Sequence, residues 1–262
     1  MAAFVFYIFC PAGWPTKYKI LGTIYKHPFV QSYIMIPSYY INLDRSTDRR
    51  AFMTSTYDNI IRVPAYDGQK LSQYDDLELP QFNTCVTSAQ IACTLSHIKA
   101  ITTAYNNGDN GAFIFEDDMS DKYKHKWKHS LEYIVRNTPT NYECVVMFCS
   151  NIIKIQQLLQ NTNNYTQWRD GRFGTGCYYI KRSGMEKIVN RFVKNGKISV
   201  CNRRTFGGYS LIADRGILFK NMVTCSYTRP TMIGQQFKST ISGQVGAEKD
   251  TTHFLVDYFS SN

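Results

Sequence analysis

Residues 112–122 read AFIFEDDMSDK and place three consecutive carboxylates, Glu116, Asp117 and Asp118, directly after four apolar residues. A run that is apolar at every position predicts a strand covered on both faces, as in a parallel sheet. Adjacent carboxylates repel one another unless water, a basic neighbour or a cation balances them. The run is therefore either a solvated turn, which is the usual fate of charged runs, or one side of a cation site.

Strands and helices alternate along the chain around this run. Short apolar stretches predict further strands at 38–43, 60–63, 144–148 and 174–180. Apolar residues at helical spacing predict helices at 87–108, with Ser88 as N-cap, around Trp127, Leu131 and Ile134, and from a Ser183/Glu186 capping box to Gly196. This alternation predicts one α/β domain on a largely parallel sheet.

Three regions are predicted from the distribution of these elements. Residues 1–37 are aromatic and proline-bearing and form an extension of uncertain order, and 38–233 form the domain. Residues 234–262 are a polar tail that packs on or near the domain. The apolar run at 2–10 is too short to span a bilayer and has no basic flank, so we expect a cytoplasmic protein, with the endoplasmic reticulum lumen as the alternative.

Composition limits the partners without choosing among them. The 262 residues carry 30 Lys+Arg against 20 Asp+Glu, a formal charge of +10, which attracts nucleic acid, membrane surfaces, sugar nucleotides or acidic glycans. The eight cysteines show no CxxC pair and no Cys/His cluster, so we expect buried, reduced thiols and no zinc site.

Two polar clusters follow predicted strands. Residues 42–45, Asn-Leu-Asp-Arg, follow the first strand, and residues 116–118 follow the AFIF strand. Ligands of open α/β sheets bind beyond the carboxyl ends of strands. One basic and one acidic cluster are the pair that a diphosphate and its divalent cation need, and carboxylate oxygens suit magnesium or manganese.

The residues themselves resemble glycosyltransferase family 25, the family of lipooligosaccharide and procollagen galactosyltransferases. Six blocks occur in the order of that family between about residues 38 and 230. They are YYINLDRSTDRR (39–50), VPAYDG (63–68), QIACTLSHIKAI (90–101), FIFEDD (113–118), FGTGCYYIKRSGMEKIV (173–189) and IADRGIL (212–218). FIFEDD is similar to that family's variant of the DxD motif.

The resemblance implies a GT-A fold, a UDP-hexose donor, Mn²⁺ or Mg²⁺, and inversion at the anomeric carbon. The hexose is galactose or glucose, and the acceptor is a glycan or hydroxylysine. Asp118 and Glu116 are then the predicted metal ligands. The predicted donor-binding residues are Asn42, Asp44, Arg45, Arg49, Asp67, Ser96 and Asp117. For the arginines, a solvated first helical turn is the alternative.

Transfer to a hydroxyl also needs a carboxylate that takes the proton of the acceptor. Asp214 lies in the family-like segment and is the predicted base, with helix entry as its alternative role, and Asp170 is the second candidate. His97 is predicted beside the sugar or acceptor, against the alternative of a packed histidine with a local hydrogen bond. The family's helix reads Gly-Glu-Ile-Gly-Cys, whereas this chain has Gln90 in place of the glutamate.

Three hypotheses follow. The first is a metal-dependent UDP-hexose glycosyltransferase, and the second is a catalytically weakened relative that binds sugar nucleotides or glycans, motivated by Gln90. A nucleic-acid-binding protein ranks last, because the chain lacks a basic helix face, a zinc module and aromatic stacking motifs.

Overall fold

The computed structural model describes residues 36–79, 86–169, 174–200, 211–235 and 246–261. The predicted extension therefore lies, up to residue 35, outside the described residues. The strands are β1 (Ser38–Asn42), β2 (Ile61–Pro64), β3 (Leu77–Glu78), β4 (Gly111–Glu116), β5 (Met119–Ser120), β6 (Cys144–Val146), β7 (Tyr165–Gln167), β8 (Cys177–Lys181), β9 (Val193–Lys194), β10 (Lys197–Ser199), β11 (Thr224–Tyr227) and β12 (Ile233–Gly234). The helices are α1 (Thr47–Thr56), α2 (Ser88–Asn106), α3 (Leu131–Arg136), α4 (Ile152–Leu159), α5 (Arg182–Phe192) and α6 (Gly246–Ser261).

A central sheet of seven strands in the order β2-β1-β4-β8-β6-β11-β7 confirms the α/β prediction. Strands β2, β1, β4, β6 and β11 run in one direction, while β8 and β7 run against their neighbours. The fold is thus a mixed α/β domain whose sheet is mostly parallel. The antiparallel β8 lies between two parallel groups, which local sequence patterns do not reveal.

Both faces of β4 are buried, as its unbroken apolar run predicts. Ile114 lies in a cluster with Leu95 and Ile98 of α2 and Ile188 of α5. Its neighbours Phe113 and Phe115 join the opposite cluster, which includes Met53 of α1 and Ile134 of α3. Alternate side chains of one strand therefore hold the helical layers on the two sides of the sheet.

Three predicted boundaries are wrong for local reasons. Helix α2 is capped by Thr87 rather than Ser88, because the Thr87 side chain accepts the N–H of Gln90. Helix α5 begins at Arg182, so Ser183 lies inside it and forms no cap. Trp127 ends a short 3₁₀ turn, Lys124–Lys126, and the following helix begins only at Leu131.

Gly196 does not end a helix but completes a hairpin. Strands β9 and β10 pair antiparallel around Asn195 and Gly196, which have φ of 49° and 76°. An Asn-Gly pair with both φ positive is the favoured two-residue hairpin turn. The Asn-Gly dipeptide in the sequence therefore indicates a hairpin at this position.

The C-terminal region contains helix α6, although its sequence reads as polar. Leu255 and Phe259 are buried, together with Ile155 and Leu158 of α4. None of the helices in the described ranges is long and apolar enough to cross a bilayer.

Candidate functional site

The carboxyl ends of β1 and β4 meet at one edge of the sheet. The strands are parallel neighbours, and Ile41 pairs with Glu116. The next residue of β1, Asn42, is 1% exposed and donates from Nδ2 to Asp117 Oδ2 at 2.8 Å and to the Ser46 carbonyl at 3.0 Å. The two polar clusters that the sequence places after these strands are therefore joined by a buried hydrogen bond.

Arg49 is the cation that faces the acidic run. Its side chain is 8% exposed, and its Nη1 lies 2.7 Å from Asp117 Oδ1 and 3.4 Å from Asp118 Oδ2. Burial works to lower the pKa of Arg49, but the charges of Asp118 and Asp117 outweigh it and raise that pKa. Burial raises the pKa of Asp117, while Arg49 and Asn42 oppose the shift. Arg49 thus does not sit in a solvated helical turn.

Two exposed ion pairs surround this buried pair. Arg45 donates to Asp67, which also accepts the backbone N–H of Gln69 at 3.0 Å. Asp44 is 81% exposed and pairs with Arg62, and this contact lowers the pKa of Asp44. The Asp67 turn packs tightly on α2, because a Cβ on Gly68 would lie 2.7 Å from the Cα of Ala89.

A cleft of about 320 Å³ opens between the end of β1, the Asp67 turn and α2. Its volume is at the lower end of the range for small-molecule sites. The residues on its wall that bear charged, thiol or hydroxyl groups are Arg45, Arg49, Tyr66, Asp67, Thr87, Ser88, Cys93, Ser96, His97, Glu116 and Asp117. Seven of the predicted site residues line the cleft, namely Arg45, Arg49, Asp67, Ser96, His97, Glu116 and Asp117. Asn42, Asp44, Asp118 and Asp214 are not among its described lining residues.

His97 and Glu116 lie together at the floor of this cleft. His97 is 1% exposed, with Nδ1 3.1 Å from the Tyr178 hydroxyl and Nε2 3.4 Å from Glu116 Oε1. Thr175 donates its hydroxyl to the same oxygen of Glu116. Burial would raise the pKa of Glu116, but His97, Thr175 and Arg49 lower it. His97 is thus a packed histidine with a hydrogen bond and also part of the cleft wall, while its place beside the sugar or acceptor stays a prediction.

Ser96 and Gln90 lie on α2 and form hydrogen bonds that fix the backbone. Ser96 donates its hydroxyl to the Ala92 carbonyl at 2.7 Å and accepts the N–H of Tyr66 at 2.9 Å. Gln90 accepts the N–H of Thr87 at 2.9 Å and completes a capping box. A glutamate would form the same box, so the change to glutamine leaves the helix start intact.

Asp214 lies in a π-helical turn, Ala213–Ile217, that packs against α2. It is 7% exposed and accepts the N–H of Gly174 at 2.9 Å. Burial is the main cause of the raised pKa of Cys93, and the charges of Glu116 and then Asp214 add to it. Asp170, the second candidate for the base, lies outside the described residues.

The predicted Mn²⁺ or Mg²⁺ ligands do not form a converging set as they are placed. Asp118 lies beside Arg49, whereas Glu116 turns towards His97 and Thr175. Within the described ranges, one group of three or more acidic, cysteine or histidine residues has ligand atoms within 4.8 Å of one another, namely Cys93, His97 and Glu116. The sequence interpretation missed this group, although Cys93 and His97 are spaced i, i+4 on one helix.

Comparison with known proteins identifies the family. The profile of glycosyltransferase family 25 (LPS biosynthesis protein) matches residues 35–200, which include both polar clusters and helix α2. The chain belongs to glycosyltransferase family 25, which confirms the resemblance noted in the sequence. The match ends before Asp214. No curated protein matches this sequence.

Two solved structures match this chain weakly. A197 from STIV has 10% sequence identity and a TM-score of 0.37 over 76% of this chain and 84% of that chain. A glycosyltransferase involved in the glycosylation of the major capsid of PBCV-1 has 8% identity and a TM-score of 0.34 over 83% of this chain and 98% of that chain. Both TM-scores are below 0.5, which is too low to assign a shared fold or function from either structure.

The buried ion pair makes a prediction for stability. We expect Arg49→Met to lower the free energy of unfolding by about 3–5 kcal/mol, because it leaves Asp117 buried without its cation. Arg50→Met, one position along α1, removes a cation that is 37% exposed and should cost less than about 1 kcal/mol. Urea unfolding of the two variants measures the difference, and equal values would contradict the described role of Arg49.

Proposed function

We propose that this glycosyltransferase moves a hexose, galactose or glucose, from a UDP-sugar to a hydroxyl of a glycan or of hydroxylysine, with inversion at the anomeric carbon. The observation that carries the proposal is the cleft at the carboxyl ends of two parallel strands, where basic and acidic side chains face one space. That is the position at which α/β sheets bind nucleotides.

The arginines and carboxylates of the cleft have distinct roles in this proposal. Arg45, whose side chain is 45% exposed, supplies positive charge to the donor diphosphate at the rim. Arg49 contributes its positive charge from the wall of the cleft while it forms ion pairs with Asp117 and Asp118. Asp67 orients Arg45 through their ion pair, and Asn42 fixes Asp117. Asp44 does not line the cleft, so its contribution to donor binding is indirect and depends on its ion pair with Arg62.

The proposed chemistry is a single displacement. A bond forms between the acceptor oxygen and the anomeric carbon as the bond from that carbon to the UDP oxygen breaks, and the electron pair leaves with the diphosphate. The acceptor proton passes to the carboxylate of Asp214, or of Asp170 as the second candidate. His97 and Ser96 border the space for the hexose in this arrangement, and the arginines stabilise the departing charge.

Loss of catalysis with retention of binding is the alternative function. This alternative, a relative that binds sugar nucleotides or glycans, rests on Gln90 in place of the family's glutamate. The side chain of Gln90 caps helix α2 and does not line the cleft. Because a capping role does not depend on a carboxylate, this substitution no longer favours a binding protein over an enzyme.

The base is tested by Asp214→Asn. We expect sugar transfer to fall about 100-fold or more, the low end of what a positioned base contributes, with donor binding unchanged. Asparagine retains an oxygen that accepts the N–H of Gly174, so the turn should persist. The measurement is UDP release and product formation with a panel of UDP-hexoses and hydroxyl acceptors, alongside UDP affinity by calorimetry.

Asp58→Asn is the matched control for this test, because Asp58 is exposed and lies before β2, at the opposite ends of the parallel strands. Normal transfer by Asp214→Asn would exclude Asp214 as the base and direct the test to Asp170→Asn. No UDP release from any donor by the wild-type chain would refute the transferase proposal itself.

Metal dependence is a separate prediction, carried by the sequence alone. If Asp118 and Glu116 bind Mn²⁺ or Mg²⁺ during turnover, Asp118→Asn and chelation should each lower UDP-sugar turnover by orders of magnitude, with the fold intact. Turnover that is undiminished by chelation would contradict the prediction and leave the arginines to balance the departing diphosphate.

A further inference from the structure

Three potential ligand atoms meet at the floor of the cleft. Cys93 and His97 project from the same face of α2, one helical turn apart, and Glu116 ends the neighbouring strand β4. The Cys93 thiol, the His97 ring nitrogen and a Glu116 carboxylate oxygen lie within 4.8 Å of one another. All three residues line the cleft, so an ion can reach them from solvent.

The His97 ring points to a ligand at this place. Its side chain is 1% exposed, and Nε2 forms no hydrogen bond within the part of the chain that the structure describes. The nearest acceptor, Glu116 Oε1, is 3.4 Å away, which is long for a hydrogen bond. A buried nitrogen without a good partner is costly, and a metal ion would satisfy it.

The surrounding hydrogen bonds suit a coordinating histidine and carboxylate. If Nδ1 of His97 carries the proton, it donates to the Tyr178 hydroxyl at 3.1 Å and leaves the Nε2 lone pair facing the cleft. The Thr175 hydroxyl holds Glu116 in place on the other side. Such outer contacts fix the tautomer and orientation of ligands in metal sites.

We propose that Cys93, His97 and Glu116 bind a thiophilic divalent cation of the Zn²⁺ class, with one coordination position open to the cleft. Sulfur, nitrogen and oxygen donors together suit zinc, whereas magnesium takes oxygen ligands. A thiolate and a carboxylate balance the charge of the ion, and the thiol proton is released to solvent on binding. This site shares Glu116 with the predicted Mn²⁺ or Mg²⁺ site but not Asp118, and it stands against the expectation from the sequence that the chain has no zinc site. It does not rest on the proposed transfer reaction.

Cobalt is a suitable probe because a thiolate bound to Co²⁺ gives a charge-transfer band in the near ultraviolet. The full chain is freed of metal with a chelator, desalted, and titrated with Co²⁺ alone. We expect one equivalent to produce the thiolate band, Zn²⁺ to abolish it by displacement, and Mg²⁺ to leave it unchanged.

Two variants and a control assign the band. Cys93→Ser should remove it, while Cys149→Ser, which changes a buried thiol outside the cleft lining, should keep it. Glu116→Gln retains the thiol and should weaken Co²⁺ binding at least about tenfold. Circular dichroism confirms that each variant is folded.

Three results would overturn the proposal: no saturable Co²⁺ binding by the wild-type chain, a band that persists in folded Cys93→Ser, or Co²⁺ affinity that is unchanged in Glu116→Gln. Glu116→Gln also decides the case if Cys93→Ser fails to fold. Because the readout is metal binding, a negative result leaves the transferase proposal untouched, and absence of transferase activity leaves this one untouched.

Discussion

The hydrogen bond between Asn42 and Asp117 is the contact on which the candidate site depends. It joins the carboxyl ends of β1 and β4 across a parallel pair. Both side chains are buried, so each needs a partner, and each supplies the other's. Arg49 completes the arrangement from α1, the helix that follows β1. One small network thus connects the ends of two paired strands, the helix that follows β1 and the charges of the acidic run.

That network explains why three consecutive carboxylates are tolerated at a strand end. Their charges are separated in space: Asp117 and Asp118 share the Arg49 guanidinium, whereas Glu116 turns to His97 and Thr175. A buried ion pair is a weak source of net stability, because desolvation offsets its attraction, but removal of one partner is expensive. The network therefore fixes which groups face the cleft more than it adds to stability.

The sequence predicted five of the seven strands of the central sheet, but not β7 or β11, and it predicted the sheet edge where the two polar clusters meet, because these features depend on local patterns. The apolar run before Glu116 and the polar residues after Asn42 were sufficient to place both clusters together. The role of Arg49 was not predictable, since a solvated arginine and a buried one look alike in sequence, and burial depends on β4, far along the chain. The order of strands around antiparallel β8 and the packing of α6 on α4 depend on long-range contacts in the same way. Cys93 was overlooked, and its grouping with His97 and Glu116 was not recognised, because Glu116 is distant in sequence from the helix that carries the other two.

We propose that this strand edge binds the diphosphate of a UDP-sugar, and the affinity of the chain for UDP, measured by calorimetry, is the sharpest test of that binding. The wild-type chain should bind UDP saturably, and Arg45→Met should bind at least about tenfold more weakly, because a charge-assisted contact is lost and Asp67 is left to repel the phosphates. Arg50→Met, outside the cleft lining, should bind as the wild type does. No UDP binding by the wild-type chain, or equal affinity in all three proteins, would contradict the claim.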